Sequence, residues 1–383
     1  MRFLMLNWRD PKNPFAGGAE RVTEGYLRAL RERGHEVHWF AYAFEGGAPH
    51  EDLGGLHIHR AGTKLGAVFA AWKWYRRQPR FDLVIDQHHG LPWFAPWWSG
   101  VRTVAYIHEV LGPIWFAFYR GFTARFGQWQ ERRVIRLYRR VPFWTASQST
   151  RRMLEELGVR RIYLIPYGVH TRPLPELDPK PIGQPLRLAV VSRLQPNKRV
   201  DQVLRACRCL LDRGVRLELT IVGAGADEPH LQEETDRLGL RPVVRFTGLL
   251  PEAEKDAVLR RAHLLLHTSL REGWGLNVIE ANAMGTPAVV YPAPGLTEST
   301  LHDETGLVSR EETPESLADA VASLLTDDAR YQRLRRQAWR RAALYHWDAV
   351  LPVACDWLER MAAGEPDPQP RPARPVGPTR EPA

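Results

Sequence analysis

The sequence predicts an α/β protein of two parallel-sheet domains, and three observations predict it. Apolar strand-like runs alternate with amphipathic helical stretches almost from end to end, the pattern of parallel strands joined by crossover helices. A proline-dense stretch interrupts this alternation near the middle, and the alternation then starts afresh. A length of 383 residues accommodates two domains of roughly 150 residues or more.

The first domain spans 1–172. Arg2–Asn7 is its first strand, because Phe3-Leu4-Met5-Leu6 is an unbroken apolar run. Ala19–Arg33 is an amphipathic helix with Val22, Tyr26 and Leu30 on one stripe and Gly34 as its stop. Val37–Ala43, Asp82–Gln87, Thr103–His108, Phe143–Ser147 and Ile162–Pro166 are its later strands. Residues 173–185 carry five prolines and read as a linker. The second domain spans 186–346. Its strands are Leu186–Ser192, Leu217–Val222, Val243–Thr247, Leu264–His267 and Ala288–Tyr291, and its helices include Val200–Arg213, Pro314–Leu325 and Asp328–Leu344. A last helix over about 348–362 is expected to pack back on the first domain, and the Pro/Arg-rich 363–383 to be disordered. Each half then forms a Rossmann-like domain, with a cleft expected between them.

Composition narrows the function classes. No stretch of ~20 apolar residues could span a membrane, and no signal peptide precedes the first strand. The sparse, odd set Cys207, Cys209 and Cys355 argues for a reducing compartment, hence a cytoplasmic location. Charge is uneven: residues 1–172 hold 26 Lys+Arg against 14 Asp+Glu, and ten of the fourteen tryptophans. The first domain therefore expects an anionic partner or a membrane surface.

The densest chemical signal is Arg271-Glu272-Gly273-Trp274-Gly275-Leu276-Asn277-Val278-Ile279-Glu280. The apolar strand Leu264-Leu265-Leu266 precedes it, and a helical run, Leu276 to Met284, follows. Backbone N–H groups at such a helix start attract phosphate. Carboxylates beside them accept hydrogen bonds from sugar or ribose hydroxyls. A sugar nucleotide satisfies both. Arg193 and Lys198 flank the turn Gln195-Pro196-Asn197 just past a strand end, where ligands bind in such sheets, and could neutralise a diphosphate. The sequence contains no Asp-x-Asp, so no metal or other cofactor is expected.

With these residues in view, the chain resembles the retaining glycosyltransferases of family 4, which have the GT-B fold. The resemblance covers roughly residues 1–350. It is carried by Gly17-Gly18-Ala19-Glu20, Ser192-Arg193-Leu194 with Asn197-Lys198, Val222-Gly223-Ala224-Gly225, Phe246-Thr247-Gly248, and the Glu272…Glu280 segment with Gly285-Thr286-Pro287. It implies transfer of a sugar from a nucleoside-diphosphate sugar to an acceptor hydroxyl, without a divalent metal. It places Arg193 and Lys198 on the diphosphate, Glu272 near the donor sugar, and Glu280 on the ribose. Gly275, Leu276 and Asn277 would offer N–H groups to phosphate; Gly223, Thr247 and Gly248 would lie beside the nucleotide. Gly17 and Gly18 would let backbone approach the donor, and His108 would act near the reacting sugar. Tyr167 stands where the family usually has Asn, and Trp274 where a smaller or Phe-like residue is common.

Two features fall outside that pattern. His88-His89 could suggest a metal, but adjacent residues on an extended chain point oppositely. The basic aromatic stretches Lys64–Phe81 and Trp115–Phe143 fit either helices on an anionic membrane surface or ordinary helices with core aromatics. A glycan or lipid-linked acceptor, and a peripheral place on the inner membrane face, follow from the same charge. A sugar-nucleotide epimerase of this architecture and a non-catalytic membrane- or nucleic-acid-binding protein are the competing readings; no recognised nucleic-acid motif accompanies the charge.

Overall fold

The computed structural model describes residues 1–64 and 66–370. The described residues divide into two compact units, Met1–Tyr167 with residues 350–370, and Gly168–Ala349. No helix among the described residues is long and apolar enough to cross a membrane.

The first unit is built on an eight-stranded sheet. Its strands are β1 (Arg2–Leu6), β2 (Glu36–Ala41), β3 (His50–Asp52), β4 (Leu56–Arg60), β5 (Leu83–His88), β6 (Thr103–Ile107), β7 (Phe143–Thr145) and β8 (Ile162–Leu164), in the order β3-β4-β2-β1-β5-β6-β7-β8. Every pair is parallel except the β3–β4 hairpin. Phe3 to Leu6 are fully buried because helices cover both faces of β1, which is why the strand reads as a continuous apolar run. The strands β3 and β4 were not expected. In β4 Leu56 and Ile58 point to the core while His57 and His59 fill the other face, so alternation is present but carried by histidines.

The second unit holds six parallel strands, β9 (Leu186–Val191), β10 (Leu217–Val222), β11 (Val244–Gly248), β12 (Leu264–His267), β13 (Ala288–Val290) and β14 (Gly306–Val308), in the order β11-β10-β9-β12-β13-β14. This is the doubly wound order, which reverses between β9 and β12. Leu188, Val190, Leu219 and Ile221 pack on the helices Val200–Asp212 and Pro314–Leu325. The short β14 was also unexpected. The proline-dense stretch is tied down on this unit rather than hanging free. The Lys180 ammonium is buried and donates to the carbonyls of Arg260 and Ala262 and to the Thr286 hydroxyl at 2.7–2.8 Å.

The last helix, Trp347–Ala362, reaches the first unit's core, where Trp357 is fully buried against Trp144 and Tyr163. Of the tail expected to be disordered, residues 363–370 are anchored there. The Trp357 indole donates to the Pro368 carbonyl, and the Tyr163 hydroxyl donates to Asp367. Residues 371–383 lie outside the described residues.

Candidate functional site

Parallel strands release their following loops at one edge of a sheet. In the second unit the loops after β9 and β12 leave neighbouring strands at the point where the order reverses, so they face one another. Backbone and side chains lock the two loops together. The Leu270 N–H donates to the Asn197 carbonyl at 3.0 Å. The Thr268 hydroxyl reaches the carbonyls of Lys198 and Arg199 at 3.1 and 2.8 Å. Arg199, in a left-handed conformation (φ +49°), returns its guanidinium to the carbonyls of Thr268 and Ser269.

This clamp holds Lys198 Nζ 2.5 Å from Glu272 Oε1. Ser269 Oγ donates to the same oxygen at 2.6 Å, and His267 Nε2 lies 3.3 Å away. All of these contacts fall on Oε1. Oε2 makes no hydrogen bond among the described residues and remains available as an acceptor. Burial by itself would raise the Glu272 carboxyl, but Lys198 and His267 overcome it and hold the pKa well below the usual range. The site therefore keeps a carboxylate and an ammonium side by side, both largely withdrawn from water.

Arg193 lies on the same β9 loop, exposed and without a hydrogen-bond or ion-pair partner among the described residues. Two glycines fix that loop's course. A Cβ on Gly223 would stand 1.9 Å from the Ser192 carbonyl oxygen, and one on Gly225 would stand 2.0 Å from that of Leu194. Gly223 also donates its N–H to the Gly248 carbonyl at 2.9 Å, which brings the β10 and β11 ends together. The Thr247 hydroxyl lies 3.0 Å from that same carbonyl.

Gly275 adopts φ +78° and starts the helix Leu276–Ala283. Asn277 Nδ2 donates to the Val191 carbonyl at 2.6 Å, pinning the helix start against the end of β9. The backbone N–H groups of Gly275, Leu276 and Asn277 make no hydrogen bond among the described residues. A crevice lined by Ser192, Lys198, His267, Thr268 and Asn277 runs between these loops. A larger cavity of about 830 Å³ opens elsewhere, on the face of β9–β11 beside the helix Glu252–Arg261; of the expected site residues it touches only Thr247. Trp274 is buried against Tyr345, so the residue at this unusual position serves packing.

Glu280 lies on the helix Leu276–Ala283 that Gly275 starts. Its Oε1 lies 3.0 Å from Lys255 Nζ, which also pairs with Glu252 at 2.5 Å. Burial raises the Glu280 carboxyl, against the pull of Lys255.

The expected residues of the first unit gather at the carboxyl edge of its own sheet. Gly17 precedes the helix Gly18–Glu32 and donates its N–H to Glu20 at 2.7 Å. Glu20 pairs with Arg9 at 3.1 Å. His108 follows β6; its Nδ1 lies 2.6 Å from the Tyr167 hydroxyl, and its Nε2 is buried without a partner. Burial, then the charges of His89 and Arg9, lower the His108 pKa to about 3, so the imidazole is neutral at pH 7. Burial raises the Tyr167 phenol, which keeps its proton. It can then donate to Nδ1, leaving the ring proton on Nε2. The unusual Tyr167 thus orients His108. His88 is buried edge-on against Tyr138, and its neighbour His89 is exposed. Among the described residues no group of three His, Cys, Asp or Glu side chains is arranged to hold a metal ion.

Arg9, Arg199, Lys255, His267 and Ser269 were missed in the sequence. Arg199 and His267 carried a usable signal, since each adjoins or ends an element already marked. Arg9 and Lys255 carried none toward the site, because Glu20 and Glu280, the site residues they meet, lie on other elements.

Comparison with known proteins gives two family matches. Residues 16–172 match the family described as Glycosyltransferase Family 4, and residues 178–341 match Glycosyl transferases group 1. A D-inositol 3-phosphate glycosyltransferase of Corynebacterium glutamicum is 33% identical over 184 residues, covering 46% of this chain and 44% of that protein. The chain spans about half the length of the curated relatives it matches. Among solved structures, sucrose-phosphate synthase from Thermosynechococcus elongatus superposes with a TM-score of 0.78 at 19% identity, covering 95% of this chain and 100% of that one. Anabaena HepE in complex with UDP-glucose does so at 0.72 and 18%, covering 94% and 99%. At such identities the likeness is one of fold.

Proposed function

Because the chain belongs to the glycosyltransferases that join a Family 4 domain to a group 1 domain, the GT-B architecture, we propose that it moves a sugar from a nucleoside-diphosphate sugar to an acceptor hydroxyl. The observation that carries the reading is the Lys198–Glu272 pair clamped between the β9 and β12 loops. In this reading the second unit holds the donor. Lys198, Arg193 and the free N–H groups of Gly275, Leu276 and Asn277 face the diphosphate, where negative charge grows as the bond to the sugar breaks. Glu272 orients Lys198 through Oε1 and accepts a sugar hydroxyl through Oε2. Glu280, held by Lys255, does the same for the ribose, and Gly223, Thr247 and Gly248 border the base.

Transfer proceeds with retention and without a metal. The bond from the anomeric carbon to the β-phosphate oxygen breaks. The acceptor oxygen bonds to that carbon on the same face, and its proton passes to the departing phosphate. Arg193 and Lys198 supply the stabilising charge that a metal ion supplies in other transferases. The first unit supplies Gly17 and Gly18, whose backbone can approach a ligand closely, and His108, neutral and able to donate from Nε2. The acceptor is a glycan or lipid-linked precursor bound by the basic first unit, and the enzyme works in the cytoplasm, in keeping with its sparse cysteines.

A thermal-shift screen with a panel of nucleotide sugars tests the proposal. A donor at about 100 times its dissociation constant adds ~2.7 kcal/mol to the unit that binds it. One nucleotide sugar should shift the melt, and the Lys198→Ala variant should lose the shift. No shift with any of them, and no nucleoside diphosphate released with any acceptor, would overturn it.

A further inference from the structure

We propose that the outward face of the helix Gly121–Leu137 is a docking surface for an anionic lipid bilayer. This proposal is independent of the transferase reading. The sequence left two basic aromatic stretches open, and the structure separates them. In the helix Ala67–Tyr75, Trp74 turns inward to stack on His59 and Phe40 at 4.4 and 5.3 Å, and the Tyr75 hydroxyl is tied to the Ser99 carbonyl. The exposed Phe69 of that helix packs on Trp72 at 5.3 Å, a single aromatic pair, whereas the helix Gly121–Leu137 presents a longer stripe. Phe122, Phe126 and Trp129 are 81%, 52% and 53% exposed and line up ring to ring, with centroids 6.0 and 5.8 Å apart.

At ~100° per residue, Phe122, Phe126, Trp129, Arg133 and Arg136 fall within about 80° of arc, and Arg125 widens it to about 100°. The opposite face, Ala124, Gly127, Glu131 and Ile135, is the one the fold buries. The outward face is thus aromatic at its N-terminal end and basic at its C-terminal end. Arg133 lies over the Trp129 ring at 5.5 Å.

Charge identifies the occupant. Between residues 121 and 140 the chain carries six arginines, all exposed. Its single acid, Glu131, is buried, and its carboxylate accepts from the Leu111 and Gly112 N–H groups and the Trp115 indole. A second copy of this surface would meet six like charges. An apolar stripe flanked by arginines that have no ion-pair partner among the described residues suits an interface that is negative at its surface and apolar beneath, where rings enter the acyl boundary and guanidinium groups stay with the phosphates.

The test is co-flotation of the full chain with vesicles of phosphatidylcholine, with and without phosphatidylglycerol. Binding should require phosphatidylglycerol and fade as salt shortens the screening length. Replacing Phe122, Phe126 and Trp129 together by Ser should lower vesicle binding at least about tenfold. Because these side chains are exposed, the melting temperature should not change. Phe69→Ser, an exposed phenylalanine on the other helix, should bind as the parent does. Failure to bind phosphatidylglycerol vesicles at low salt, or undiminished binding by the triple variant, would overturn the proposal. A concentration-dependent increase in mass abolished by the triple variant would overturn it in favour of a protein-contact face.

Discussion

Removing the Lys198 ammonium is the perturbation that reaches furthest into the proposed site. Lys198 and Glu272 are 14% and 16% exposed, so their pairing is largely withdrawn from water. Truncating one member of a buried pair costs about 3–5 kcal/mol when the remaining charge is left alone. Here Ser269 and His267 stay on the same oxygen, and some water reaches the carboxylate, so Lys198→Ala should destabilise by about 2 kcal/mol. For a unit of this size that is about 4–8 °C in melting temperature. The loss in transfer should be larger, at least ~10²-fold, because the ammonium acts where charge grows in the transition state. Glu272→Ala should cut transfer by a similar factor, and the double variant should fall short of the summed stability losses by about 1 kcal/mol or more. The assay is nucleoside-diphosphate release, with chemical denaturation of each variant alongside. Near-parental transfer by both purified single variants would refute the assignment. Additive stability losses would show that the pairing has no energetic consequence. The sign with pH follows as well. Glu272's carboxyl is held below its ordinary value of 4.5, so its contribution is present above that value and is lost as pH falls beneath it; Lys198→Ala should weaken this acid-side dependence.

Two further outcomes test the scaffold. Gly223→Ala places a methyl 1.9 Å from a backbone carbonyl oxygen at φ +133°, so it should destabilise the second unit by about 2–4 kcal/mol in denaturant titration and weaken nucleotide-sugar binding; parental stability would show that the loop can give way. In the first unit His38, His59 and His50 form a chain with ring nitrogens 2.9 Å apart, and burial plus the neighbouring imidazoles hold His59's pKa at about 3. The unfolded chain takes up that proton first, so stability should be full above about pH 6.5 and fall as pH drops toward 3; His59→Asn should flatten the slope measured by urea melts, and an unchanged slope would remove the cluster as its source.

The alternation of elements was legible because a parallel strand covered on both faces must be apolar throughout. Phe3–Leu6 and Leu264–Leu266 satisfy that rule, and the helix Pro314–Leu325 announces itself by Thr313 capping and its apolar stripe. The strands β4 and β14 escaped because three to five residues, filled by histidine or glycine, carry too little pattern. Within the site, Lys198, Glu272 and the glycine turn could be marked from spacing. That Glu272 offers one oxygen and withholds the other could not, because Ser269 and His267 reach it only once the two loops are clamped.

Local patterning by itself determined which segments become strands and helices, since propensity and burial period act over a few neighbouring residues. Which distant side chains meet was decided by the tertiary structure. Lys198 and Glu272 touch because β9 and β12 are neighbours in the sheet, and Tyr167 orients His108 because burial leaves its hydroxyl beside the imidazole. The same division separates the two aromatic helices. Their compositions are alike, but packing turns Trp74 of one helix inward and leaves Phe69 exposed, while Phe122, Phe126 and Trp129 of the other all face water.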